Sequence, residues 1–185
     1  MESSGRSRPA GQGSDDADFR EFVEVRYGEL LRMAYLLTGS RDTAQDLVHD
    51  ALLKAMRHWP RVDEPMAYVR RALVNGRISR WRRIGLRELL TAVLPERSRP
   101  DDTEAVVVRN ELLAALDQLP ARMRAVLVLR YWEDLPEAEV AATMGCSVGT
   151  VKSQAARGLT RLREVLRPTP ARRPVVGGEL TEERA

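Results

Sequence analysis

Residues 135–166 read LPEAEVAATMGCSVGTVKSQAARGLTRLREVL, a stretch that predicts two short helices joined by a tight turn. Pro136 suits the start of a helix, where its missing N–H costs nothing. Glu137 and Glu139 favour the positive end of the helix dipole, and Val140, Ala141 and Met144 follow at helical spacing. Gly145 falls where the first helix must stop, because glycine enters the left-handed backbone region at little cost. Ser147 can cap the next helix, along which Val151, Ala155, Leu159, Leu162 and Leu166 recur every three or four residues. Lys152, Arg157, Arg161 and Arg163 stand off that apolar stripe, with Glu164 the only acid of the helix. A small residue at Ala141, a glycine at the turn and an apolar Val151 let two helices cross closely. That crossing offers the second helix to a DNA major groove. Taken alone, the segment also fits a plain helical hairpin with a solvated basic face.

The rest of the chain narrows the choice. Its 185 residues suffice for one domain or two small ones. Bases exceed acids only by 30 to 27, but they are unevenly placed. Between Met66 and Arg99 stand Arg70, Arg71, Arg77, Arg80, Arg82, Arg83, Arg87, Arg97 and Arg99, against Glu88 and Glu96. Such local stretches point to polyanions. A membrane surface is the competing polyanion, but no segment joins this charge to a long Trp/Phe/Leu face. Cys146 is the single cysteine, so an intrachain disulfide and a cysteine-based zinc site are excluded. His49 and His58 are too few, and wrongly spaced, for a metal cluster. No phosphate-binding loop or nucleophile elbow occurs, and no apolar run reaches transmembrane length. The expectation is a cytoplasmic, non-enzymatic protein without cofactor, metal or membrane insertion.

Periodicity predicts an all-α fold of two small helical domains joined by a flexible linker, the second a helix-turn-helix domain. Residues 1–16 have the composition of a disordered tail. The first domain spans 17–83. Phe19, Phe22, Val23, Leu30, Leu31, Ala34 and Tyr35 form the stripe of its first helix, which ends at Thr38-Gly39. Ser40 caps a second helix that buries Ala44, Leu47, Val48, Ala51 and Ala55 and stops at Trp59-Pro60. Pro65 opens a third, running to about Arg83, with Val69, Ala72, Leu73 and Gly76 inside. Residues 84–103 read as linker, with a marginal helix over Ile84–Leu94. The second domain spans 104–167. One of its helices, stopped at Pro120, carries Val106, Leu112, Leu113, Leu116 and Leu119, and another carries Met123, Val126, Leu127 and Tyr131. Residues 168–185 read as a disordered tail.

Two segments together resemble a known family. Ala44-Gln45-Asp46-Leu47-Val48-His49-Asp50-Ala51-Leu52-Leu53-Lys54-Ala55, then Trp59, then Ala67-Tyr68-Val69-Arg70-Arg71-Ala72-Leu73-Val74-Asn75 is similar to the polymerase- and promoter-binding domain of bacterial sigma factors. Leu116-Asp117-Gln118-Leu119-Pro120, Arg130-Tyr131 and Gly149-Thr150-Val151-Lys152-Ser153 are similar to their second promoter-binding domain. Order, length and bare linker match the extracytoplasmic-function group of the sigma-70 family, over about residues 17–167.

The resemblance implies a transcription initiation factor that binds core RNA polymerase, recognises −35 and −10 promoter elements and promotes melting. It implies polymerase docking through Asp46, His49, Asp50, Leu53 and Lys54, although the family more often has glutamine and glutamate at the positions of His49 and Asp50. For the −10 element it implies Asn75 on a flipped base, with Arg70, Arg71, Arg77, Arg80, Arg82 and Arg83 on phosphates. Trp81 either stacks on an unpaired base or caps the helix bundle. For the −35 element it implies Lys152 and Ser153 at base edges, with Thr150 and Arg157 on phosphates. Gln154 and Ala156, in the same set, depart from the family's more frequent residues and retune the sequence read. Arg161 and Arg163 read instead as solubilising cations at a helix end, where they also suit the dipole. An anti-sigma protein is a further implied partner. Two readings from other classes stay open: a stand-alone helix-turn-helix repressor, which would need a two-fold interface, and a helical adaptor that binds only protein.

Overall fold

Three local signals set the order of the helices. Ser40 is extended, and its hydroxyl accepts from the Thr43 backbone N–H, which starts one helix. Ser147 does the same for Thr150. Gly145 takes φ 60°, in the left-handed region, and ends the helix before it. The computed structural model describes the backbone of residues 10–88 and 104–167. Its helices are α1 (Ala10–Thr38), α2 (Arg41–His58), α3 (Pro65–Glu88), α4 (Glu104–Asp117), α5 (Ala121–Leu127), α6 (Glu137–Met144) and α7 (Val148–Val165). A single 3₁₀ turn, Trp59–Arg61, follows α2, and a wider π turn, Val128–Trp132, follows α5. Among the described residues there is no strand.

Both units read from the sequence are present. Helices α1, α2 and α3 pack on one another, and α5, α6 and α7 form the helix-turn-helix unit. All five positions expected inside α2 are buried. Of the α1 stripe, Leu30 and Ala34 are buried; Phe19, Phe22, Val23, Leu31 and Tyr35 pack half-buried against the same core. Trp59 fixes where α2 ends by holding two aromatic rings of α1: its centroid lies 5.0 Å from Phe19, edge-on, and 5.2 Å from Phe22. Gly76 is a close approach between α3 and α2, since a Cβ there would stand 2.7 Å from Leu47 Cδ1.

Several boundaries and faces differ from the sequence reading. Helix α1 begins at Ala10, so residues 10–16 are helical where a tail was expected. Extending an established helix adds one bond per residue fixed. Helix α3 runs on to Glu88, past the expected boundary at 83, and absorbs the start of the marginal helix over Ile84–Leu94. The rest of that helix and of the linker, and residues 1–9 and 168–185, lie outside the described residues. Leu166 is exposed, not inside the α7 stripe, because it sits past the last turn that packs on α5.

The two units are also not separate bodies. Helix α3 packs against α5 and α6, and α1 packs against α4, α5 and the π turn. One continuous buried cluster runs from Leu30 and Val69 to Leu129, Val140 and Val151. At its edge lies Arg124, 1% exposed. Its Nε donates to the Leu36 carbonyl oxygen and its Nη1 to the Asp117 carboxylate. Leu36 and Leu37 end α1, where carbonyls have no partner within the helix. Arg77 Nε takes the Leu37 oxygen at 2.8 Å. The C-terminus of α1 is thus capped by arginines from α3 and α5, the charge that suits the negative end of a helix.

Two outcomes check this account. Arg124→Ala strips a buried carbonyl and Asp117 of their shared donor and is expected to cost roughly 3 kcal/mol in urea unfolding. A loss below about 1 kcal/mol would show the contact to be incidental. At Gly145 a Cβ would meet nothing within 4 Å, so any cost there is backbone strain alone. Gly145→Val should therefore destabilise by about 1–2 kcal/mol and Gly145→Asn by clearly less. Equal losses would contradict the left-handed assignment.

Candidate nucleic-acid and polymerase interfaces

The outer face of α7 is built by its inner one. Val151, Ala155 and Gly158 are buried against the preceding helices, and at Gly158 a Cβ would stand 3.1 Å from Leu127 Cδ1. This close seat turns Lys152, Ser153, Ala156 and Arg157 to solvent on the opposite side. Lys152 is 64% exposed, with its ammonium 3.6 Å from Glu137 of α6. Arg157 folds back along its own helix, where Nε donates to the Ser153 carbonyl and Nη2 lies 3.2 Å from the Ser153 hydroxyl. Thr150 is half-buried and shares a 2.9 Å hydrogen bond with the Ser147 hydroxyl. Gln154 turns partly inward, and its buried Oε1 makes no hydrogen bond. Five of the six nominated positions thus line one accessible surface or its rim, and Gln154 sits between that surface and the core.

The nominated residues of α3 divide between two faces. Arg71 and Asn75, one turn apart, are exposed. Arg80 is half-exposed, with Nη2 3.5 Å from Asp46 of α2. Arg70 and Arg77, two turns apart, point toward protein. Arg70 Nε donates to Glu133 at 2.9 Å, and two further carboxylates, Glu29 and Glu139, lie at 3.9 Å. Burial draws the Arg77 guanidinium below the ordinary arginine pKa; the nearby charge of Arg124 adds to that and Asp117 opposes it. Burial likewise lowers Arg124, against its hydrogen bond to the Asp117 carboxylate. Trp81, Arg82 and Arg83 continue the helix, but their side chains lie outside the described residues.

On α2, Asp46, His49, Asp50 and Lys54 are exposed and Leu53 is half-buried beside them. The buried positions Leu47, Ala51 and Leu52 alternate with them at helical spacing, so one face packs and the other is open. Met56, 48% exposed, extends the open face by an apolar residue that the sequence reading left out. The reading also missed Arg124 and Glu133. The available signal was charge set in otherwise apolar sequence: Arg124 within Met123–Leu129, and Glu133 just before Leu135. Among the described residues no helix is long and apolar enough to cross a membrane, and no group of three or more potential ligands could hold a metal ion.

Comparison with known proteins matches both units. Residues 22–87 match the model of sigma-70 region 2, and residues 109–162 that of sigma-70 region 4. The RNA polymerase sigma-E factor of Streptomyces coelicolor is 40% identical over 152 residues, covering 80% of this chain and 86% of that protein. The ECF RNA polymerase sigma factor SigL of Mycobacterium tuberculosis is 33% identical over 162 residues, covering 83% and 91%. Among solved structures, the sigma factor RpoE of Bartonella quintana, in complex with the anti-sigma factor NepR, superposes with a TM-score of 0.70. It is 27% identical, over 80% of this chain and 96% of that one. Two promoter-factor units in the same order, with relatives matched over most of their length, settle the question: the chain belongs to the sigma-70 family, in its extracytoplasmic-function group.

Proposed function

We propose that this chain initiates transcription by docking on core RNA polymerase through α2 and holding two promoter elements through α3 and α7. The observation that carries this reading is the pairing of an open cationic face on α7 with an open Arg71–Asn75 line on α3. Each is set on a buried opposite face that fixes its orientation. In the −35 groove, Lys152 and Ser153 reach base edges, with Ala156 and Gln154 shaping the fit. Thr150 and Arg157 hold phosphates. On the −10 strand Asn75 reads a flipped base, since its amide both donates and accepts. Arg71 and Arg80 track the backbone, Arg82 and Arg83 extend that track, and Trp81 offers a stacking ring, whereas Arg70 and Arg77, which donate to Glu133 and to the Leu37 carbonyl, face protein. Binding energy alone opens the duplex, so the chain acts without hydrolysis and without a cofactor, in the cytoplasm where its template lies.

Asp46, His49, Asp50, Leu53 and Lys54, with Met56, form the polymerase-docking face. Anionic contacts there and cationic contacts on α3 and α7 explain the small net charge of +3. An anti-sigma protein is a further partner, supported by the complex in which the Bartonella relative was solved. The helix-turn-helix repressor has no support from the family match.

The primary test is co-elution of the full chain with bacterial core polymerase on gel filtration, with Asp50→Arg as control. Co-elution lost in the control is expected. No co-elution of the folded wild type would sink the reading, and co-elution kept by the control would move the interface off α2. On the DNA side, Lys152→Ala is expected to cost about 1–3 kcal/mol on the preferred promoter and to relax base choice there. Equal weakening on every sequence would reduce Lys152 to a phosphate contact.

A further inference from the structure

Glu137 opens α6, and its carboxylate reaches across the turn to α7, where it stands 3.6 Å from the Lys152 ammonium. That distance is beyond a good hydrogen bond, so charge alone joins the two. The side chains are 35% and 64% exposed, and an ion pair so open contributes little to the fold. Its effect falls on what Lys152 can bind. An ammonium on a flexible stem is a point charge with three donors. Left free, it takes any phosphate within reach, and such contacts carry affinity without sequence preference. Glu137 also occupies the first turn of α6, where unpaired backbone N–H groups otherwise favour phosphate. In a helix-turn-helix the first helix crosses the DNA backbone while the second enters the groove. The carboxylate therefore stands on the side from which a phosphate would approach Lys152. Arg157 differs, since its guanidinium lies against Ser153 of its own helix.

We propose that Glu137 is a specificity-determining residue of the −35 surface, one that holds Lys152 off phosphates and leaves it to the uncharged acceptors of a guanine edge. The proposal rests on the reading of Lys152 as a base-edge contact. To reach a phosphate, Lys152 must either leave Glu137 or bring a second anion beside the carboxylate, and both are unfavourable. To reach guanine O6 and N7 it keeps the carboxylate and adds neutral acceptors, since three N–H donors serve several acceptors at once. Glu137 thus acts through Lys152 as a positioning residue, and its contribution is a repulsion directed at the wrong partner. Affinity is lost in return. A carboxylate on a DNA-binding surface weakens binding to every duplex, and least to the one whose guanine engages Lys152.

The test uses the full chain. A duplex that the wild type enriches from a randomised pool serves as the preferred probe, and a mixed-sequence duplex of equal length as the other. Fluorescence anisotropy gives the affinity for each across a salt series. Glu137→Gln removes the charge and keeps the shape. It is expected to bind the mixed duplex roughly two- to fivefold more tightly, the range that an exposed ion pair commands. The enriched duplex should gain clearly less, so the ratio between the probes falls. On the mixed duplex the slope of log affinity against log salt should steepen by about one, as one more phosphate is neutralised. In a Lys152→Ala background the same substitution should leave the ratio unchanged. A ratio that falls there as well reports bulk charge and overturns the role of Glu137. If Lys152→Ala alone lowers the ratio but Glu137→Gln does not, the base-edge reading stands and the role of Glu137 is overturned. Equal weakening of both probes by Lys152→Ala, or a wild type that enriches no sequence, places the failure in the base-edge reading and overturns the proposal with it.

Discussion

The cap on the end of α1 governs how the rest of this molecule fits together. Leu36 and Leu37 present carbonyl oxygens that no later residue of their own helix can satisfy. The oxygens are taken by Arg124 of α5 and Arg77 of α3. Two guanidinium groups brought to one helix end would repel, and Asp117 offsets this by accepting from Arg124 and lowering the local positive charge. The same carboxylate fills the space beside Gly39, where a Cβ would stand 2.6 Å from Asp117 Oδ1. Gly39 has φ 75°, so side-chain space and backbone conformation both call for glycine there. One polar knot thus joins the end of α1, the end of α4 and the start of α5.

That knot has directional consequences that apolar packing alone would not have. Buried hydrocarbon is tolerant of small rotations, whereas a guanidinium aimed at a particular carbonyl is not. A charge this deep is no strong source of net stability. Its effect is to make one arrangement of the two units much better than its neighbours. Position 124 also lies just upstream of the π turn, Val128–Trp132, whose widened backbone carries the chain to Glu133 and the left-handed Asp134. Arg130 Nη1 then donates to the Leu135 carbonyl at 2.9 Å and closes the connection into α6. The placement of Glu133 against Arg70 follows from this sequence of constraints, as does the angle at which the helix-turn-helix meets α3.

The parts of the molecule legible in the sequence are those decided locally. Ser40, Ser147, Gly145, Pro65 and Trp59-Pro60 each carry a conformational preference within a few residues, and each marks a boundary that the structure keeps. The inner face of α2 was readable for the same reason, since its period is undisturbed. What was not legible depends on residues far apart in the chain. Arg124 and Leu36 are separated by 88 positions, and Arg70 and Glu133 by 63. Nothing in the spacing of either pair announces the meeting. The nominated site divides along the same line. Lys152, Ser153, Ala156 and Arg157 share a face because one helix sets it, while the arginines of α3 split because a second unit covers one side.

This difference bears on how the chain can work. The α7 surface is complete within the helix-turn-helix: its cap, its turn and its buried seat against α5 all come from residues 121–165. The α3 surface is not complete in that sense, because Arg70 answers to whichever anion is nearest. With the second unit packed on it, the nearest anion is Glu133, at 2.9 Å, while Glu29 of its own unit stands at 3.9 Å. A surface whose charge is conditional on the position of another unit senses that position. The same packing therefore sets how much of the α3 surface is open, while it leaves the outer face of α7 free.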